Sequence, residues 1–134
     1  MKEVFLIEWK NEYSVNNEEI DKQHKRLFEL INDFFNSFQL GQAEDSLSET
    51  IIETINYTKY HFEYEEKILK ECRYPEYNIH FKEHVDFKAK IYVFHEKFEN
   101  GDFEVAYDLM LFLRDWLIKH VMLEDQKYKN HIKT

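Results

Sequence analysis

The chain has 134 residues, 43% of them hydrophobic, with 12 Phe, 9 Tyr and 2 Trp; that is enough apolar material to bury one core without disulfides, and it excludes a disordered chain. Two glycines and one proline are too few for the turns of a β-sandwich or barrel, which leaves an α-rich single domain over 1–134. With 18 Lys and Arg against 27 Asp and Glu the net charge is −9, so the surface repels phosphate backbones and anionic lipid, and neither a nucleic-acid nor a membrane partner is expected.

The apolar runs Val4–Ile7 and Leu109–Leu113 are too short for a membrane span or a signal-peptide core. The single Cys72 cannot form an intrachain disulfide, which fits a cytoplasmic location.

Residues up to about 16 read as an N-terminal arm. A first helix over about 17–40 opens with Asn16 and Glu19 at capping-box spacing and carries Ile20, Leu27, Phe28, Ile31, Phe34, Phe35 and Phe38 at helical period. His24 falls on that stripe. After Gly41, a second helix over about 43–72 carries Leu47, Ile51, Ile55, Phe62, Ile68 and Leu69, with His61 and Glu65 on its buried side. Pro75 biases Tyr74 away from helical angles and ends it.

In a third helix, about 76–99, Tyr77, His84, Ile91 and Phe98 recur every seven residues with His80, Phe87 and Phe94 between them, a seam that faces other helices. Asn100-Gly101-Asp102 breaks the chain again. The fourth helix, about 102–124, carries Phe103, Ala106, Leu109, Met110, Leu113, Trp116, Leu117, His120 and Val121. Short connections make successive helices antiparallel, so the expected fold is all-α: an up-down-up-down antiparallel four-helix bundle with an N-terminal arm. Short loops and one domain favour a monomer.

The informative feature is polar residues in the wrong place. Five of seven histidines (His24, His61, His80, His84 and His120) lie on core-facing stripes drawn from all four helices. Glu65 sits one turn after His61, and an ionised carboxylate buried without a counter-charge costs several kcal/mol. No Lys or Arg on these stripes supplies that charge; a metal would. Imidazole and carboxylate donors without thiolate suit iron, manganese or zinc.

With an acid close to His120 as a second carboxylate beside Glu65, five imidazoles and two carboxylates are too many for one tetrahedral zinc. They suit two octahedral ions: with both carboxylates and one oxygen bridging, a single coordination position stays open for a small diatomic ligand. His80-Phe-Lys-Glu-His84 matches the H-x-x-E-H pattern of some zinc peptidases, but a compact bundle has no substrate cleft. No Glu stands three residues before any His, so a ferritin-like di-iron pattern is absent. Cys72 has no motif of a thiol nucleophile around it.

Trp9, Asp21-Lys-Gln-His24, His61-Phe-Glu-Tyr-Glu65, Tyr74-Pro75, His80-x3-His84, Trp116-Leu-Ile-Lys-His120 and Asp125-x2-Tyr128 together resemble the bacterial hemerythrins over nearly the whole chain. The resemblance implies a non-haem di-iron centre that binds O2 reversibly. His80, His84 and His120 would bind one iron and His24 and His61 the other, with Glu65, Asp125 and an oxo or hydroxo group bridging them. It also implies a dry O2 pocket, for which Phe28, Ile31, Phe62, Trp116 and Leu117 are the apolar residues at hand, Leu117 matching a pocket leucine of the family. Tyr57 and Tyr128 are candidate hydrogen-bond donors to the ligands; His95 and His131 match no ligand position.

One position strains this reading. Asp125 follows His120 by five residues, about 140° around an ideal helix, and spacing alone would choose Glu124. The functions in play are O2 transport or storage without enzymatic turnover, O2 sensing, and a di-iron oxidase or peroxide- or nitric-oxide-handling activity on the same scaffold.

Overall fold

The structure, a computed structural model, describes residues 7–39, 44–102 and 104–132, with the side chains of 44–47 left aside. Gly41, the Leu47 side chain and Phe103 therefore lie outside the described residues. Four helices form α1 (Glu18–Gln39), α2 (Glu44–Glu71), α3 (Tyr77–Glu99) and α4 (Val105–Lys119). They pack in a ring, α1 on α2, α2 on α3, α3 on α4 and α4 back on α1, as an antiparallel bundle does.

The helix ends follow local chemistry. α1 is capped by Asn17, whose Oδ1 accepts the Ile20 N–H at 2.9 Å. Asn16 lies outside the helix at φ 60°, so the expected capping box of Asn16 and Glu19 does not form, and Glu19 is left free for another partner. α2 and α3 both end in a Schellman turn. Arg73 (φ 56°) donates to the Lys70 carbonyl and Tyr74 to that of Leu69; Gly101 (φ 101°) donates to Phe98 and Asp102 to Lys97. The second turn uses glycine for the left-handed residue, while the first does without.

The fourth helix is shorter than its sequence suggests. It begins at Val105, and after Lys119 the chain widens into a π turn, His120–Glu124, then tightens into a 3-10 turn, Asp125–Tyr128. The arm closes over this end. Ile7 and the Asn32 side chain exchange two hydrogen bonds of 2.8 Å, and Asp21 accepts from the Ser14 hydroxyl and the Val15 N–H. Trp9, Tyr13 and Phe28 pack together with centroids 5.6–5.7 Å apart, Tyr13 meeting the other two rings edge-on. The Gln126 amide then ties the Tyr13 carbonyl to that of Val121 in the π turn.

Two apolar clusters hold the bundle. The larger includes Leu27, Phe34, Phe62, Phe87, Leu109 and Leu117; the smaller, at the end near Tyr74, is Val15, Ile20, Leu69, Tyr74, Tyr128 and Ile132. On α1 the polar His24 falls between the two, flanked by Ile20 of the smaller cluster and Leu27 of the larger, and on α3 His80 and His84 lie between Tyr77 and Phe87. A polar layer is sandwiched in an otherwise apolar interior. No helix among the described residues is long and apolar enough to cross a membrane.

Candidate metal centre

All seven residues singled out as ligands meet in that layer and are buried: His24 from α1, His61 and Glu65 from α2, His80 and His84 from α3, His120 and Asp125 from the end of α4. On α2 and α3 the i, i+4 spacing brings both side chains to one face. The ligand atoms form two groups that share a member: Glu65 with His80, His84 and His120, and Glu65 with His24, His61 and Asp125. Within each group the atoms lie within 4.8 Å of one another.

Both carboxylates divide their oxygens between the two halves. Glu65 Oε1 is 2.7 Å from His80 Nε2 and 3.0 Å from His84 Nε2, while its Oε2 is 3.6 Å from His61 Nε2 and 3.8 Å from His24 Nε2. Asp125 Oδ1 lies 3.2 Å from His80 Nε2 and 3.1 Å from His120 Nε2, and its Oδ2 lies 3.1 Å from His24 Nε2. Glu124 points away from the layer, to Lys127 at 3.2 Å.

The imidazoles are presented as ligands. His61 Nδ1 donates to Gln23 Oε1 at 2.8 Å and His84 Nδ1 to Glu66 Oε2 at 2.7 Å. Each Nδ1 thereby carries a proton on the outer side, and Nε2 is the nitrogen that faces inward. The inner nitrogens come face to face, His24 with His61 at 3.1 Å and His84 with His120 at 3.2 Å. Neither oxygen of Asp125 makes a well-directed hydrogen bond among the described residues, although three ring nitrogens stand beside it. Orphaned carboxylate oxygens beside converging imidazole nitrogens fit cations between them.

The electrostatics agree. Burial alone would force Glu65 to protonate, yet His120, His24, His80 and His84 hold it well below the usual carboxylate range. Asp125 is pushed up by burial and by the Glu65 charge and is still held far down, chiefly by His120. In return, burial pulls three histidines down and the two carboxylates more than reverse it, holding His24 at about 9, His80 at about 10 and His120 at about 9. His61 lacks so close a carboxylate, and burial depresses it to about 3. The layer demands positive charge, which protons supply when no metal does.

Tyr128, expected to donate to a ligand, gives its hydroxyl proton to Glu65 Oε2 at 2.6 Å. Tyr57 does not serve this role; it packs on Tyr60, centroids 5.5 Å apart, near the surface. His95 pairs with Glu99 and His131 rests against Tyr74, both away from the layer. Cys72 is half-buried and donates to the Leu69 carbonyl.

Of the apolar residues expected around the site, Phe62 lies flat on His84 (3.8 Å, 2°) and Trp116 on His120 (4.3 Å, 15°). Phe28, Ile31 and Leu117 are buried in the same large cluster. Three polar neighbours are missed by reading the sequence for ligands alone: Gln23, Glu66 and Glu83, the last 3.7 Å from His120 Nδ1. Each adjoins a ligand in sequence, and Gln23 is the one uncharged side chain between Asp21 and Arg26 besides His24, which is the available signal.

An antiparallel bundle with five buried histidines and two shared carboxylates defines a class, the helical bundles whose interior could hold metal ions. The chain belongs to the family of the hemerythrin HHE cation binding domain, which matches residues 15–132. It is 28% identical over 129 residues to the bacteriohemerythrin of Stenotrophomonas maltophilia (strain R551-3), covering 96% of this chain and 83% of that one. It is 30% identical over 125 residues to that of Clostridium acetobutylicum, covering 90% and 96%. The crystal structure of wild-type hemerythrin superposes with a TM-score of 0.89 at 27% identity, over 96% of this chain and 99% of that one.

Proposed function

We propose that this chain holds two iron ions and binds O2 reversibly, for oxygen transport or storage and not for catalysis. The observation that carries the reading is the division of both Glu65 and Asp125 between a three-histidine half and a two-histidine half. A carboxylate with one oxygen in each half suits a pair of ions better than a single one. His80, His84 and His120 would hold the first ion and His24 and His61 the second. When bound there, two iron ions would supply the redox chemistry that reversible O2 binding needs.

The rest is done by the chain. Tyr128 holds Glu65 by a buried hydrogen bond. Phe62 and Trp116 shield the three-histidine half, and Phe28, Ile31 and Leu117 extend the apolar wall that excludes water and protons. A dry wall matters because protonation of reduced oxygen makes its release irreversible.

The test uses protein reduced without air, titrated with O2 while visible absorbance is followed, then degassed. Two irons per chain and an absorption band that forms with O2 and vanishes under vacuum support carriage. A band that decays with peroxide release and continued use of reductant overturns it in favour of an oxidase. Absence of iron and of the band overturns the metal reading itself.

A further inference from the structure

We propose that Gln23 is a positioning residue for His61, and that its neutral amide makes His61 a weaker electron donor than the carboxylate-backed His84 across the site. The inference deepens the metal-centre reading and rests on it for the second half only.

Gln23 has no exposed surface, an unusual place for glutamine, and both ends of its amide are engaged. Its Nε2 donates to Glu19 Oε2 at 2.9 Å and its Oε1 accepts from His61 Nδ1 at 2.8 Å. A carboxylate only accepts, so Glu19 fixes which way the amide points. The amide oxygen in turn requires a proton on His61 Nδ1, and that leaves Nε2 bare, 3.1 Å from His24 Nε2 inside the layer. Glu19, one turn before Gln23 on α1, thus sets the tautomer of a histidine on α2. This is the partner left to Glu19 when Asn17 takes over the helix cap.

Across the site the arrangement differs in charge. His84 Nδ1 donates to the Glu66 carboxylate at 2.7 Å, and Glu83 stands 3.7 Å from His120 Nδ1. A carboxylate draws the Nδ1 proton more strongly than an amide oxygen and raises the donor strength of the ring. His24 Nδ1 has no hydrogen-bond partner among the described residues. Donor strength is therefore graded between these two rings, greater at His84 and smaller at His61. For a carrier that gradation is useful, because weaker donors stabilise the oxidised metal less and let the electrons return.

Two variants test this. Gln23→Leu removes the acceptor. The double exchange Glu19→Gln with Gln23→Glu keeps every hydrogen bond and the composition but puts the charge next to His61. In metal-free protein, imidazole 15N shifts should show His61 protonated on Nδ1 in the parent and in the double exchange, and not in Gln23→Leu. Ferrous iron competed against a chelator should bind about 10- to 100-fold more weakly to Gln23→Leu. In iron-loaded protein the double exchange should shift the midpoint potential to more negative values, and Glu66→Gln should shift it the other way.

An unchanged His61 tautomer in Gln23→Leu overturns the positioning role. Potentials equal to the parent's in both charge-altered variants overturn the gradation. A parent that binds no iron overturns the gradation and the metal reading together, while the tautomer measurement still decides the role of Gln23.

Discussion

The backbone N–H of Asp125 donates to the carbonyl of His120, five residues earlier. That bond belongs to a π turn, in which the coil is wider than an α-helix and residue i+5 returns to the side of residue i. On an ideal α-helix the two side chains would diverge by about 140°; here Asp125 Oδ1 lies 3.1 Å from His120 Nε2. The turn also carries Glu124 outward to Lys127 and Glu83, so the choice between adjacent acids is made by backbone geometry.

The first prediction follows from that choice. Asp125→Ala should lose bound metal, by about 10-fold or more in affinity, because it removes a ligand and leaves its partners short of negative charge. Glu124→Ala should hold metal like the parent. Metal content per chain after dialysis against a mild chelator separates the two, and equal retention by Asp125→Ala would remove it from the ligand set.

Tyr128→Phe removes one oxygen from a fully buried side chain and leaves Glu65 Oε2 without its shortest hydrogen bond. An unsatisfied buried acceptor costs about 1–3 kcal/mol, toward the upper end for a charged one. Denaturant unfolding of the metal-free variant should show the loss as a lower midpoint with the same slope.

The metal-free chain should be most stable near pH 6.5. His24, His80 and His120 are held at about 9, 10 and 9, above their ordinary value. Their contribution is therefore complete below about 6.5 and is lost as pH climbs through about 9 to 10. On the acid side His61, depressed to about 3, penalises the folded state progressively below about 6.5, and the stabilisation from Glu65 and Asp125 goes as they take up protons. Melting temperature against pH with a chelator present should describe a dome. A flat line from pH 7 to 10 would contradict the charge network.

Leu117→Ala should keep its metal, since no ligand is touched, yet lose about 2–5 kcal/mol as a buried large-to-small change. If the apolar wall excludes water as proposed, autoxidation of the O2-loaded protein should quicken, read as faster decay of the O2-dependent band. An unchanged decay rate would leave Leu117 with a packing role alone.

The sequence was most legible where helical period and chemistry coincide. Ile20, Leu27, Ile31 and Phe34 mark the buried face of α1, and His24 shares it, so burial of that histidine is legible in the sequence. The same holds for His61 with Glu65 and for His80 with His84, whose i, i+4 spacing needs only an ordinary helix. Asp125 was different. The π turn has no signature in its residues, and an ideal-helix count points to Glu124; only the family resemblance points to the aspartate.

The α1 cap is not legible in the same way, because Asn16 and Asn17 are equally good caps and Glu19 completes a box with only one of them. The role of Gln23 is hidden for a related reason. Its partner His61 lies 38 residues away, and pairing across helices leaves no trace in local period.

The seven residues of the polar layer run from His24 to Asp125, and the last of them comes from a turn that the arm and Gln126 hold shut. During synthesis, no part of the chain short of Asp125 contains the full set. An ion captured early would meet His24, His61 and Glu65 with neither their partners nor their shelter. Complete coordination of an ion would therefore coincide with docking of the turn that carries Asp125, and uptake of a tightly held ion would mark the moment at which the bundle has closed.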